Sequence, residues 1–203
     1  MASELPLTLL DYGVGNIHSI KKCFERAGAS VTVETEPAKI LNAKVLVLPG
    51  VGAFGKVAQQ IAPYRDELRG KMEAGLPSFA VCIGMQILYE SSDEGPGQGL
   101  SLFPGRVRRL RHQRLPHIGW NSVRHHGTGL FEGVPRDAYF YFVHSFAPSE
   151  CSDPCVATTD YGDTFAAASV GGNVWAVQFH PEKSSDVGYR VVQNFVSYAG
   201  SRA

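Results

Sequence analysis

Short apolar runs and stretches of helix-spaced apolar residues take turns through the first half of the chain. LTLLDYG is followed by Ile17, Ile20, Phe24 and Ala27 at helical spacing, closed by Gly28, and then by the runs SVTVET and KVLVLPG. A second helical stretch puts Leu68 and Met72 on one face and stops at Gly75, ahead of the run LPSFAV and a further helical pattern, GMQILYESS. Strand-length runs alternating with helical spacing spell β-α-β units, whose strands lie parallel and are covered by helices on both faces. From about Arg106 the texture turns β-rich, with GRVRRL, AYFYFVHSF, TFAAASV and VWAVQF joined by loops rich in Gly, Pro and Asp, short enough for antiparallel pairs. The chain closes on a helix with Val187, Val191 and Phe195 on one face. The predicted class is α/β: a mostly parallel central sheet with helices on both faces, plus a β-rich second half. No repeat or linker interrupts the pattern, so residues 1–203 read as a single domain.

Composition narrows the partners. The 203 residues are 44% hydrophobic and 19% charged, ordinary for a globular chain. Nineteen Lys and Arg balance nineteen Asp and Glu, so no net field draws the chain to nucleic acid or an anionic membrane. Cys23, Cys82, Cys151 and Cys155 are scattered without a disulfide framework, and MASELPLTLLDYG lacks a basic, then apolar, leader. No apolar run approaches the roughly 18 residues that span a bilayer. A reduced, cytosolic setting is expected.

GVGAFG, Gly50 to Gly55, has the G-x-G-x-x-G spacing of a dinucleotide loop. That fingerprint belongs in the first β-α unit, with an acidic residue about twenty positions on at the end of the next strand. Here it follows the third strand, and Asp66 and Glu67 fall within a helical stretch. The earlier DYGVGN has His18 where the third glycine belongs. A nucleotide is therefore not expected, although glycines still free the backbone to turn its N–H groups toward some other anion.

Cys82 stands between the strand SFAV and a helix, with Ala80 and Gly84 two positions to either side. Small flanks at a strand-to-helix turn make a nucleophile elbow, and the helix start favours thiolate. A free cysteine is by default a small buried hydrophobe, so the assignment depends on a base elsewhere. VWAVQFHPEKSS supplies one: the strand ends at His180, where Pro181 cannot continue the ladder. Glu182, two residues on in an extended segment, lies on the same side and can hold the imidazole. Cys82, His180 and Glu182 form a candidate catalytic triad.

These residues resemble the class I, triad-type glutamine amidotransferases, and more closely the glutaminase subunits of imidazole glycerol phosphate synthases. DYGVGN, LVLPGVGAFG, CIGMQILYESS, LPHIGWNSV, YFYFVHSF and QFHPEKSS stand in the order of that family and cover nearly the whole chain. Ala80 replaces the family's usual Gly and Ile83 its common Leu, and both keep size roughly intact. The resemblance implies a flavodoxin-like amidotransferase fold and a glutaminase of histidine biosynthesis. Cys82 would attack the glutamine amide, His180 would protonate the departing ammonia, and water would hydrolyse the glutamyl thioester.

It further implies that Pro49 to Gly52 is the oxyanion segment. Gly50, Val51 and Gly52 would supply a backbone amide beside that of Ile83, from a resting orientation that changes when the partner is ligated. Gln86 and the backbone of His144, Ser145 and Phe146 would surround the glutamine. The implied partner is a separate (βα)8-barrel cyclase subunit, bound as a heterodimer, with Asn16, Trp120, Asn121 and Lys183 at or near the interface. Trp is also favoured as an interface anchor. No cofactor is implied.

Other features read more plainly. Arg106, Arg108, Arg109, Arg111 and Arg114 fit one charged face of a strand and its loop ends. CSDPC has metal-like spacing without a second ligand pair, so no metal is expected. RHHGTG, with His125 and His126, reads as an exposed loop. The rivals are a glutaminase subunit for another synthase, such as that of the pyridoxal phosphate pathway, a stand-alone γ-glutamyl hydrolase, and a non-catalytic binding subunit.

Overall fold

Val45 and Val47 enter one apolar cluster while Leu46 and Leu48 enter a second, and Phe79 and Val81 part from Ala80 in the same way. Trp175 and Val177 likewise part from Val174 and Ala176. Strands buried on both faces require this alternation with no polar side. The computed structural model describes residues 4–13, 17–149 and 153–202, so Asn16 and Cys151 lie outside the described residues.

The first half runs β1 (Leu5–Leu10), α1 (His18–Arg26), β2 (Ala29–Glu34), α2 (Pro37–Leu41), β3 (Leu46–Leu48), α3 (Phe54–Ile61), α4 (Arg65–Glu73), β4 (Ser78–Val81) and α5 (Ile83–Gln86). The second half runs β5 (Ser91–Ser92), β6 (Arg106–Arg109), β7 (His117–Ser122), β8 (Arg124–His125), β9 (Tyr139–His144), β10 (Phe146–Pro148), β11 (Cys155–Tyr161), β12 (Asp163–Gly171), β13 (Val174–Val177) and α6 (Ser185–Gly200). Eight strands form the main sheet in the order β2-β1-β3-β4-β13-β12-β11-β8. The pairs β2/β1, β1/β3, β3/β4 and β4/β13 are parallel, and the remaining three are antiparallel. The parallel part has the flavodoxin-like order, with β13 as its fifth strand. Two smaller sheets, β10-β6-β5 and β7-β9, flank it.

Phe24 of α1 and Phe195 of α6 pack edge-on to each other and around Phe79, with ring centroids 5.0 to 6.3 Å apart. Each such ring, fully buried, contributes about 1.5–3 kcal/mol. The other face is closed by Phe54, Val57 and Ile61 of α3 and by Leu68 and Met72 of α4. In an open parallel sheet, ligands sit outside the carboxyl ends of the strands. The glycine loop, Cys82 and His180 all follow such ends.

Three expectations need correction. The helix read over GMQILYESS stops at Gln86, because Leu88 and Tyr89 already bond three residues back, to Met85 and Gln86. The carbonyls of Ile87, Leu88 and Tyr89 are then taken by the returning segment from Leu100 to Phe103. His125 is buried rather than exposed: its ring stacks on Phe131 with centroids 4.3 Å apart, and β8 adds the last edge to the main sheet. The strand before His180 ends at Val177. The amide of Gln178 still bonds Ala167 of β12, but that of His180 bonds Tyr141 of β9 at 2.8 Å, so the chain changes neighbours within three residues.

Candidate active site

Cys82 has φ +49° and ψ −108°, a backbone conformation that costs a non-glycine residue about 1–3 kcal/mol. The turn is held from both sides: the Cys82 amide donates to Val177 at 2.7 Å, and Gly84 passes so close to β3 that a Cβ there would stand 2.2 Å from the Leu48 carbonyl oxygen. The thiol is enclosed, at 7% residue exposure, and Gln178 Nε2 donates to its Sγ at 3.5 Å.

His180 Nδ1 donates to Glu182 Oε1 at 2.8 Å, with side-chain exposures of 7% and 8%. Their alignment differs from the extended one expected, because Pro181–Lys183 forms a 3-10 turn that brings the carboxylate back under the ring. Burial by itself would lower the His180 pKa, but the charge and hydrogen bond of Cys82, and then those of Glu182, outweigh it and hold the imidazole well above its ordinary value. A thiolate beside an imidazolium is the form in which cysteine attacks a carbonyl carbon. Glu182 Oε2 is buried and has no hydrogen-bond partner among the described residues. Burial, and then the Glu182 charge, push the nearby Cys23 thiol up to about 11, which keeps it protonated and inert.

Gly50 lies against Cys82 and His180. A Cβ on it would stand 2.9 Å from His180 Cε1 and 3.0 Å from Cys82 Cβ, so only glycine backbone fits between them. Gly52 adopts φ +97°, and Glu94 Oε2 accepts the Phe54 amide at 2.7 Å at the start of α3, fixing the far end of this loop. The Ile83 N–H, first in α5, has no intrahelical acceptor.

Gln86 and the segment His144 to Phe146 come together, since Gln86 Nε2 donates to the Phe146 carbonyl at 2.8 Å. Trp120 and Lys183 share an outward patch on the β7-β9 sheet: Trp120 meets Tyr141 edge-on at 6.2 Å, and Lys183 Nζ lies 5.7 Å over the same ring. Asn121 does not join them. It is on the other side of β7, and its Nδ2 donates to the Asp160 carbonyl at 2.9 Å.

Sequence reasoning missed Gln178, Ser184 and Glu94. Ser184 Oγ donates to the His180 carbonyl at 2.6 Å and accepts the Tyr141 amide at 2.9 Å, binding the histidine to β9. For Gln178 alone the sequence carried a signal, a glutamine in the otherwise apolar run VWAVQF just ahead of the histidine. Among the described residues no three His, Cys, Asp or Glu side chains gather as a metal site. A cleft of about 740 Å³ lies at the opposite end of the sheet, between Gly75 and Val174, away from Cys82.

A doubly wound sheet with a cysteine elbow at its carboxyl edge has known counterparts. The chain belongs to the glutamine amidotransferase class-I family, whose model matches residues 8–198. Within it the chain groups with the imidazole glycerol phosphate synthase HisH subunits. It is 43% identical to that subunit of Synechococcus sp. (strain JA-3-3Ab), over 97% of this chain and 95% of the relative. It is also 43% identical to that of Methanothermobacter thermautotrophicus, over 94% and 97%. Among solved structures, a Thermoplasma acidophilum protein described as a putative GMP synthase subunit has the same fold, with TM-score 0.77 at 17% identity over 99% of this chain and 96% of that one. A structure described as a glutamine amidotransferase gives 0.75 at 22% identity over 96% and 98%.

Proposed function

We propose that this chain is the glutaminase subunit of an imidazole glycerol phosphate synthase, releasing ammonia from glutamine for a cyclase partner in histidine biosynthesis. The observation that carries it is the juxtaposition of Cys82, His180 and Gly50 at the carboxyl edge of the sheet, with Glu182 behind the histidine. In this reading the Cys82 thiolate attacks the side-chain amide carbon of glutamine. The oxyanion is met by the Ile83 N–H and by a backbone amide of the Gly50 to Gly52 segment, each such donor being worth about 3 kcal/mol in the transition state. The His180 imidazolium gives its proton to the departing ammonia, leaving a glutamyl thioester. His180, now neutral, takes a proton from water as that water attacks the thioester, and glutamate leaves as the thiolate is restored. Glu182 offsets the positive charge of the ring whenever His180 holds both protons.

Ammonia in neutral water is mostly ammonium, which is no nucleophile, so its release is useful only next to a consumer. The partner would be a (βα)8-barrel cyclase, and the exposed Ile118, Trp120 and Tyr139 offer it an apolar face, with Lys183 at its side. Rotation of the Val51 amide, between Gly50 and Gly52, would couple partner ligation to the oxyanion site.

The test is glutamate release from glutamine by the purified chain, alone and then with the cyclase and its nucleotide ligand, with Cys82→Ala as the blank. Stimulation by the partner that Cys82→Ala abolishes is the expected result. Turnover indifferent to the partner would keep the triad and remove the client. No turnover in either mixture, with Cys82 unreactive toward a glutamine-analogue electrophile, would leave a binding subunit.

A further inference from the structure

Between β7 and the nucleophile runs a chain of hydrogen bonds in which every donor can be assigned. Asn121 Nδ2 donates to the Asp160 carbonyl and its Oδ1 accepts the Ser122 amide, both at 2.9 Å, so the amide cannot be turned over. Its remaining Nδ2 hydrogen faces His117 Nε2 at 3.4 Å, making that nitrogen an acceptor. At the other end the Phe146 carbonyl can only accept, so His144 Nδ1, 2.9 Å away, carries the proton. His117 Nδ1 and His144 Nε2 are 3.3 Å apart. Two neutral rings then leave one arrangement, in which His117 Nδ1–H donates to His144 Nε2. Both rings are neutral: burial lowers His117 to about 4 and His144 to about 3. The chain continues from the Phe146 carbonyl, which also accepts from Gln86 Nε2. Gln86 Nε2 donates as well to Gln178 Oε1 at 3.1 Å, and Gln178 Nε2 reaches Cys82 Sγ.

We propose that His117 is a positioning residue for the glutamine pocket: it holds His144 in its Nδ1–H tautomer, and His144 thereby fixes the Phe146 carbonyl against Gln86 beside Cys82. Without a donor at its Nε2, neutral His144 is free to carry its proton there instead. Its Nδ1 would then present a lone pair to the Phe146 carbonyl oxygen, two acceptors 2.9 Å apart, and the segment would move. This role rests on Cys82 being a glutaminase nucleophile.

Two substitutions separate the hydrogen bond from the packing. His117 stacks on Phe142 and Tyr161, with centroids 4.9 and 4.0 Å away, so His117→Phe keeps the stacked ring and removes both nitrogens. His117→Asn loses the ring but sets an amide N–H at the position of Nδ1. Steady-state glutaminase kinetics of the complex with its cyclase partner should show KM for glutamine about five- to tenfold higher in His117→Phe, the loss of one hydrogen bond's net worth, with kcat little changed. His117→Asn should bring KM back toward wild type. A wild-type KM in His117→Phe, a loss carried by kcat alone, or equal defects in the two variants would overturn the proposal. Ring ¹⁵N shifts of the unaltered protein decide it even if a variant does not fold: Nδ1–H at both His117 and His144 supports it, and Nε2–H at His144 overturns it. Absence of turnover in the wild-type complex would count against the glutaminase assignment, and the ¹⁵N result would still judge the tautomer chain.

Discussion

His180 and Glu182 meet through a single 2.8 Å hydrogen bond inside a 3-10 turn, and neither side chain is more than one-tenth exposed. The folded-state pKa of His180 is raised above its ordinary 6.5 despite burial, by Cys82 first and by Glu182 next. A raised pKa means that the protonated ring stabilises the fold fully below 6.5, and that this contribution is lost as pH rises through the elevated value. Glu182→Gln should therefore move the alkaline loss of activity to lower pH. At neutral pH it should cut kcat/KM by about a hundredfold or more, the scale of one acid-base group. A pH profile of glutamate release checks both, and an unmoved alkaline limb would remove Glu182 from the mechanism.

Gly50→Ala is expected to disable the site directly. The added methyl would meet His180 Cε1, Cys82 Cβ and Val81 Cγ1 between 2.9 and 3.1 Å, and all three belong to closely packed neighbours. Overpacking of this kind costs about 1–3 kcal/mol, so kcat/KM should fall about tenfold or more as the histidine is pushed from the thiol. Alkylation of Cys82 by a small electrophile should slow in parallel. Normal kinetics in this variant would mean that the loop stands elsewhere in solution.

Much of the fold was legible because period is a local property. KVLVLP and SFAV announce strands buried on two faces, and Val187, Val191 and Phe195 announce a helix, whatever lies around them. Cys82 and His180 were legible for a similar reason, since small flanks mark an elbow and His-Pro-Glu marks the end of a strand. The rest depends on contacts between distant residues. Gln178 reaches Cys82 across 96 positions, and Glu94 reaches Phe54 across 40, and no spacing announces either. The helix over GMQILYESS has good local spacing too, but its carbonyls are captured by the returning segment, so tertiary bonding overrides the pattern.

Ser184 should show its importance in stability before catalysis. It is wholly buried, and Ser184→Ala leaves the Tyr141 N–H without its partner and removes one of two donors from the His180 carbonyl, which keeps the Lys183 amide at 3.1 Å. One orphaned backbone donor brings a loss of about 1–3 kcal/mol, readable as a lower denaturant midpoint at unchanged slope. Because the serine ties His180 to β9, kcat should fall as well. A midpoint equal to that of the unaltered protein would show that another group or water serves the Tyr141 N–H.

Gly70 offers the opposite sign. It is an exposed position within α4, its φ is not in the left-handed region, and a Cβ there would meet nothing within 4 Å. Glycine inside a helix costs about 0.5–1 kcal/mol relative to alanine, so Gly70→Ala should raise the unfolding free energy by that amount with glutaminase activity unchanged. Thermal or denaturant unfolding decides it, and a destabilised variant would place some unseen contact on that face.

Trp120 and Asn121 are chain neighbours that should fail in different assays. Trp120 is 51% exposed on the outer face of β7, in line with Ile118 and beside Tyr141, and has little to lose within the isolated chain. Asn121 points the other way, into bonds with Asp160 and His117. A central aromatic anchor costs about 2 kcal/mol or more when truncated, so Trp120→Ala should weaken binding of the cyclase about thirtyfold or more while leaving the unfolding midpoint in place. Asn121→Ala should lower the midpoint and, if its orientation is the same in the complex, alter affinity far less. Titration calorimetry against the cyclase, with unfolding curves of each variant alone, separates the two. Equal losses of affinity would mean that β7 turns both faces to the partner, and full affinity in Trp120→Ala would move the interface off this sheet.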